Sequence, residues 1–147
     1  MVEVMEQIER HLSETSEQIR QGVPYRISEA ADVGSGVWQG DLGIEIIEQV
    51  PRDYTVVVRP TAENLKLVPG DTRGSRHILD SHDGVSMFRK ADWGPESLDG
   101  PCLIVDQERT IEHPVHGAVI IPAGFTVRCR YQRVWDEEKK KARRAAD

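Results

Sequence analysis

Short apolar segments separated by proline and glycine run through the middle of this 147-residue chain. Each is rich in Val, Ile and Leu and too short for a typical helix, so we predict strands. The predicted strands are residues 42–50, 54–59, 64–68, 76–79, 85–89, 102–106, 118–121 and 125–135. This pattern predicts a mainly β domain at residues 37–135, either a small barrel or a sandwich, with the jelly roll among the folds it allows.

The first 22 residues follow a different period. Ile8, Leu12 and Ile19 recur at helical spacing with Glu, Gln and Arg between them, which predicts an amphipathic helix at residues 1–22. Its narrow apolar stripe must pack against the β domain of the same chain, a second copy or another protein. Ile8, Leu12 and Ile19 are therefore the candidate partner-binding residues.

Two polar stretches flank the predicted β domain. Residues 23–36 are rich in Ser, Gly, Ala and acidic residues, which predicts a linker. Residues 136–147 begin with acidic residues, continue with basic ones and have no apolar face. This pattern favours a charged, frayed helical tail. The alternative is a basic tail that contacts nucleic acid or an acidic partner.

Charge and cysteine content narrow the classes of function. The chain has 25 acidic and 19 basic residues, a formal net charge of −6, which argues against a protein whose whole surface follows phosphate. Cys102 and Cys129 lie in apolar segments and form no CxxC pair, so we expect reduced core cysteines. Neither a secretory signal nor about 18 continuous apolar residues occurs, so we expect a soluble cytoplasmic protein without a membrane partner.

Histidines give the most prominent chemical signal. His113 and His116 flank a proline that forbids an ordinary helix, so both rings are presented from a turn. His77 begins a predicted strand and is the candidate third ligand of a zinc or other divalent metal site. Asp80 or Glu112 could act as a further ligand, as an acceptor for a ligating imidazole, or as a general base. The alternative interpretation is surface or hydrogen-bonded structural histidines.

Sequence motifs for several other kinds of site are missing. The chain contains no GxSxG, HExxH, GxxxxGK[ST] or GxGxxG motif. We therefore expect no nucleotide cofactor.

The last predicted strand carries a second candidate site. Strict alternation assigns Phe125, Val127, Cys129 and Tyr131 to its core face. Arg128 and Arg130 on the other face, with Arg133, form a basic strip that could bind phosphate or an acidic partner beside Trp135 as a stacking platform. The alternative is an ordinary solvated strand face.

One segment resembles the second sequence motif of the cupins. Gly117-Ala-Val-Ile-Ile-Pro-Ala-Gly124 has the spacing of a strand, a Pro-x-Gly turn and a return strand. The resemblance implies a jelly-roll hairpin. Val127 stands where the cupin metal-binding histidine would be, so it does not imply a cupin metal site.

Four motifs resemble the pattern QGD, GHxHR, HPEHG and QRE plus an aromatic residue, found in small uncharacterised proteins of bacteria and their phages. Here they read Gln39-Gly40-Asp41, Gly74-Ser75-Arg76-His77, Glu112-His113-Pro114-Val115-His116-Gly117 and Gln132-Arg133-Val134-Trp135. The resemblance implies a four-ligand metal site. Ser75 replaces one histidine and Val115 replaces the glutamate, which leaves three ligands. The resemblance also implies that the protein is located in a bacterial cytoplasm or a phage particle. It implies no particular reaction.

We favour a non-catalytic accessory or assembly protein whose β domain is stabilised by a divalent metal. It would form a homo-oligomer or bind a protein partner through its N-terminal helix. An enzymatic function stays open. A metal-dependent hydrolase would use His77, His113 and His116 to hold the ion and activate its water. A third hypothesis is a nucleic-acid-binding module along the basic strip and the tail.

Overall fold

A computed structural model describes residues 23–57, 65–69, 76–136 and 141–144 of the chain. These residues form twelve strands and no α-helix. The strands are β1 (Tyr25–Arg26), β2 (Gly36–Gln39), β3 (Leu42–Ile47), β4 (Tyr54–Val56), β5 (Ile78–Leu79), β6 (Val85–Lys90), β7 (Asp99–Val105), β8 (Arg109–Glu112), β9 (Val119–Ile121), β10 (Thr126–Tyr131), β11 (Arg133–Asp136) and β12 (Lys141–Arg144). The helix predicted at residues 1–22 lies outside the described residues.

The strands form two large sheets and one small one. The first large sheet has the order β1-β9-β8-β5, and the second has the order β2-β3-β10-β7-β6-β4. Strand β1 runs parallel to β9, whereas the other neighbours pair antiparallel. Strands β11 and β12 form the small sheet. The prediction of a mainly β fold is therefore confirmed.

The two large sheets share one apolar core. Ile111, Val119 and Ile121 of the four-stranded sheet are fully buried in the same cluster as Leu103 and Val127 of the six-stranded sheet. The predicted alternation in the last long strand is confirmed, because its buried and partly buried apolar side chains include Phe125, Val127, Cys129 and Tyr131. Packing of two sheet faces defines a sandwich. The barrel alternative is wrong because both sheets end in edge strands and do not close.

The predicted boundaries differ from the structure in several places. Strands β2 and β8 were missed because both are short and β8 contains a single aliphatic core residue, Ile111. The predicted strand at 64–68 is reduced, within the described residues, to an isolated bridge between Lys66 and Ile78. The predicted linker contains β1 and the buried Ile27.

The predicted helical tail is wrong over residues 141–144. These residues form β12, whose backbone pairs antiparallel with β11 from Arg133↔Arg144 to Asp136↔Lys141. A short helix without an apolar face has no packing to offset the cost of nucleating it, whereas a neighbouring strand supplies backbone hydrogen-bond partners directly. Tertiary pairing therefore overrides local helix propensity here.

Within the described residues, no helix has the length and apolar character needed to cross a bilayer.

Candidate functional site

The hairpin between β2 and β3 positions the first two residues of the site. Gln39 pairs with Leu42, so Gly40 and Asp41 form a two-residue turn. Gly40 has φ 59°, as the first position of a primed hairpin turn requires. The turn brings two polar side chains inside the protein, because Gln39 is fully buried and Asp41 is 6% exposed.

His77 lies between these two side chains and is fully buried. Its Nδ1 is 2.8 Å from Gln39 Oε1, and its Nε2 is 2.8 Å from Asp41 Oδ1. His77 precedes β5, and its backbone carbonyl accepts a hydrogen bond from the N–H of Leu67. Both nitrogens of this imidazole therefore face acceptors within the protein.

The hydrogen bonds of Gln39 fix the direction of this network. Its Nε2 donates to the carbonyl oxygens of Ile111, at 2.9 Å, and Gly117, at 2.8 Å. Of the two ends of the Gln39 amide only the nitrogen can donate, so Oε1 faces His77 and accepts from Nδ1–H. Because Gln39 belongs to the six-stranded sheet and Ile111 to the four-stranded sheet, the network ties the two sheets together.

His113 and His116 extend the cluster towards the surface. The ring centroids of His77 and His113 are 4.5 Å apart, and those of His113 and His116 are 4.6 Å apart. Nδ1 of His113 accepts hydrogen bonds from the backbone N–H groups of Val115 and His116, both at 3.1 Å. The three imidazoles chosen from the sequence therefore come together, in a row of rings tilted against one another.

A metal centre, the role predicted for these histidines, has no support in the part of the chain that the structure describes. Across the described residues, no group of three or more His, Cys, Asp or Glu side chains is placed to hold an ion. Asp80 instead accepts a hydrogen bond from the N–H of Thr110 and lies 3.9 Å from Arg109, while the side chain of Glu112 is exposed. A metal bound by His77 would have to displace Gln39 or Asp41 from a ring nitrogen.

Sequence reasoning singled out the histidines but gave no role to Gln39 or Asp41. The Gln39-Gly40-Asp41 motif was the available sequence signal for these two residues. It places two polar residues on either side of a turn glycine, between segments that are otherwise apolar. The backbone N–H of Gln132 also donates to the carbonyl of Asp41, at 3.0 Å. All four motifs of the resemblance thus contribute at least one residue to this region.

The arginines of the basic strip are partly balanced by carboxylates, because three arginines and Lys90 share Glu45 and Asp99. Arg128 and Arg130 contact the two carboxylate oxygens of Glu45, at 2.7 and 3.4 Å. Arg133 pairs with Asp99 at 3.0 Å. The three arginines therefore do not form a continuous positively charged surface without carboxylates. The side chain of Trp135, the predicted stacking platform, is not among the side chains that the structure describes.

A groove of about 750 Å³ lies on the outer face of the six-stranded sheet. Trp38 on β2 covers Gly43 on β3 so closely that a Cβ at Gly43 would lie 3.0 Å from the indole ring. Trp38 is nevertheless 48% exposed. Arg130 and Arg133 also line the groove, which therefore combines an aromatic side chain with cationic ones. Sequence reasoning did not identify this surface.

The two cysteines lie in the core and we predict that they are unreactive in the native protein. Burial raises the pKa of Cys102 to about 11 and also raises the pKa of Cys129. The neutral thiol therefore predominates below about pH 11, whereas the thiolate is the nucleophile. We expect no reaction with a disulfide reagent at pH 8 before urea is added, and reaction of both thiols afterwards. Rapid labelling of the native protein would contradict their burial.

These features define a β-sandwich domain with a buried histidine network and an exposed aromatic groove. Residues 38–132 match the family model described as Domain of unknown function (DUF8820). The match covers most of the chain, which therefore belongs to this family, and the matched range includes Gln39, Asp41 and His77 together with His113 and His116. No curated protein and no solved structure matches the chain significantly.

Proposed function

We propose that this chain is a non-catalytic assembly or accessory protein that associates with copies of itself through its N-terminal segment. The observation that carries the non-catalytic part of the proposal is the complete burial of His77, with both ring nitrogens bonded inside the protein. A hydrolase would need at least one of these nitrogens to hold an ion or move a proton at a substrate. The histidine cluster is better suited to stabilising the sandwich than to chemistry.

The surface features support the same proposal. Exposed aromatic side chains beside apolar grooves are typical of protein-binding surfaces, and Trp38 is such a residue. Zinc binding stays a prediction, as does nucleic-acid binding along the basic strip. Both have weaker support, because His77 is bonded to Gln39 and Asp41, and the carboxylates of Glu45 and Asp99 interrupt the strip along which a phosphate backbone would lie.

Light scattering after size exclusion tests the proposed self-association on the full chain. We expect an oligomer at about 100 μM, and Ile8→Ser with Leu12→Ser should weaken it by at least about tenfold, because these changes remove apolar contacts. Glu6→Gln with Ser13→Ala, on the opposite face of the predicted helix, is the matched control and should leave association unchanged. A monomeric wild-type chain at that concentration would overturn the proposal.

A further inference from the structure

We propose that the groove beside β2 binds the acidic N-terminal segment, residues 1–22, of a second copy of the chain. This inference rests on the proposed self-association and names the surface that receives the segment. The groove is lined by residues of β2 and β3 and by Arg130 to Arg133, where the chain passes from β10 to β11.

The apolar part of the groove suits the aliphatic stripe of the segment. Trp38 lies over Gly43, and its indole ring is the exposed apolar side chain of the groove. An indole that is 48% exposed offers a large apolar face at little cost in side-chain entropy when it is covered. Ile8, Leu12 and Ile19 would provide the matching aliphatic contacts.

The charges of the two surfaces are complementary. Residues 1–22 contain five glutamates and two arginines, a formal net charge of −3 with histidine neutral. The groove is lined by two arginines and one glutamate, and the side chains of Arg130 and Arg133 are 41% and 44% exposed despite their ion pairs. An acidic segment would therefore be attracted to this face of a chain that is negatively charged overall.

The position of the groove indicates a second copy as the donor of the segment. Strand β2 is an edge of its sheet, and a further cleft of about 230 Å³ beside it shares Ser35, Gly36 and Val37 with the groove. Tyr25 lines this second cleft, so the N-terminal segment joins the described fold close to the same edge. Two copies related by a two-fold axis beside β2 would each bring their segment to the groove of the other.

Substitutions in the groove of the full chain separate this inference from the general proposal. We expect Trp38→Ser to weaken self-association by at least about tenfold, as the loss of a central aromatic contact does. Gly43→Ala should also weaken it, because the new Cβ displaces the indole ring. The control is Val56→Ser, at an exposed apolar position on β4, the opposite edge of the same sheet, and it should have no effect. Circular dichroism and thermal unfolding establish that each variant is folded.

The outcomes are distinguishable. If Ile8→Ser with Leu12→Ser disrupts the oligomer while folded Trp38→Ser and Gly43→Ala variants retain it, the segment binds elsewhere and this inference fails alone. If the wild-type chain is monomeric, the proposed function fails as well. Weakening by both groove variants, with Val56→Ser unchanged, supports the inference.

Photo-cross-linking tests whether the segment is exchanged between copies. A benzophenone amino acid replaces Leu12 in the full chain, and ¹⁵N-labelled and unlabelled protein are mixed and irradiated. We expect mass spectrometry to find cross-links from residue 12 to the peptide containing Trp38 and Gly43, with labelled and unlabelled partners joined. Cross-links confined to single copies would show docking within one chain and overturn the exchange.

Discussion

Replacing His77 by alanine should lower the free energy of unfolding by about 3–5 kcal/mol, because it removes a buried ring and leaves two buried polar groups without their hydrogen-bond partner. The substitution leaves the carboxyl group of Asp41 buried without its imidazole, and it leaves Oε1 of Gln39 without a donor. It also opens a cavity where a fully buried ring was. Urea unfolding followed by circular dichroism at pH 7 measures the effect.

His82 provides a matched control for this substitution. Its side chain is 47% exposed and lies 3.7 Å from the exposed Asp83, so His82→Ala should change stability by no more than about 0.5 kcal/mol. The double variant with His77→Ala and Asp41→Ala should cost less than the sum of the two single changes, because each removes the same pair. A loss below about 1 kcal/mol for His77→Ala would contradict the structural role of the network.

Gly36→Ala should cost about 3 kcal/mol, the upper end of what overpacking usually costs. A Cβ at this position would clash with the carbonyl oxygen of Ile44 and lie 3.0 Å from Cα of Glu45. Both obstacles are backbone atoms of β3, so no side-chain rotation can relieve the contact. The relief must come from separating β2 from β3, which also disturbs the hairpin that carries Gln39 and Asp41.

Gly94→Ala is the appropriate control for the loss of a glycine. The nearest atom to a Cβ there is the carbonyl oxygen of Asp92 at 3.9 Å, an ordinary contact distance. Thermal unfolding of the two variants should differ clearly, with Gly94→Ala close to the wild-type chain. Equal melting temperatures for both variants and the wild type would show that β2 does not pack against β3 as described.

The strands could be predicted where the sandwich buries one face of a strand, and β10 is the clearest case. In β10, alternate burial of Val127, Cys129 and Tyr131 follows directly from the two-residue period of a strand. Strand β8 could not be predicted from its own composition, because its pairing with β5 and β9 stabilises it. Whether the strands form a barrel or a sandwich also depends on which strands lie at the sheet edges. Local sequence patterns do not reveal the order of strands in a sheet.

The three histidines singled out from the sequence lie close together in the structure, but the contacts of His77 with Gln39 and Asp41 were not foreseen. Turn chemistry around Pro114 indicated that His113 and His116 share a turn, and resemblance linked that turn to His77. The roles of Gln39 and Asp41 depend on contacts with residues far away in the sequence, at Ile111 and Gly117 among others. Such long-range hydrogen bonds leave no local periodicity to detect.

Imidazole NMR tests the central claim, that His77 holds the sheets together through its two ring nitrogens, most directly. A long-range ¹H–¹⁵N spectrum of the full chain at pH 7 should show a hydrogen on Nδ1 of His77 that exchanges slowly with water. Its signal should stay unchanged when one equivalent of Zn²⁺ is added, because Gln39 and Asp41 occupy both nitrogens. A His77 Nδ1 that lacks this hydrogen, or whose resonance moves into the range of a metal-bound nitrogen with Zn²⁺, would contradict the account.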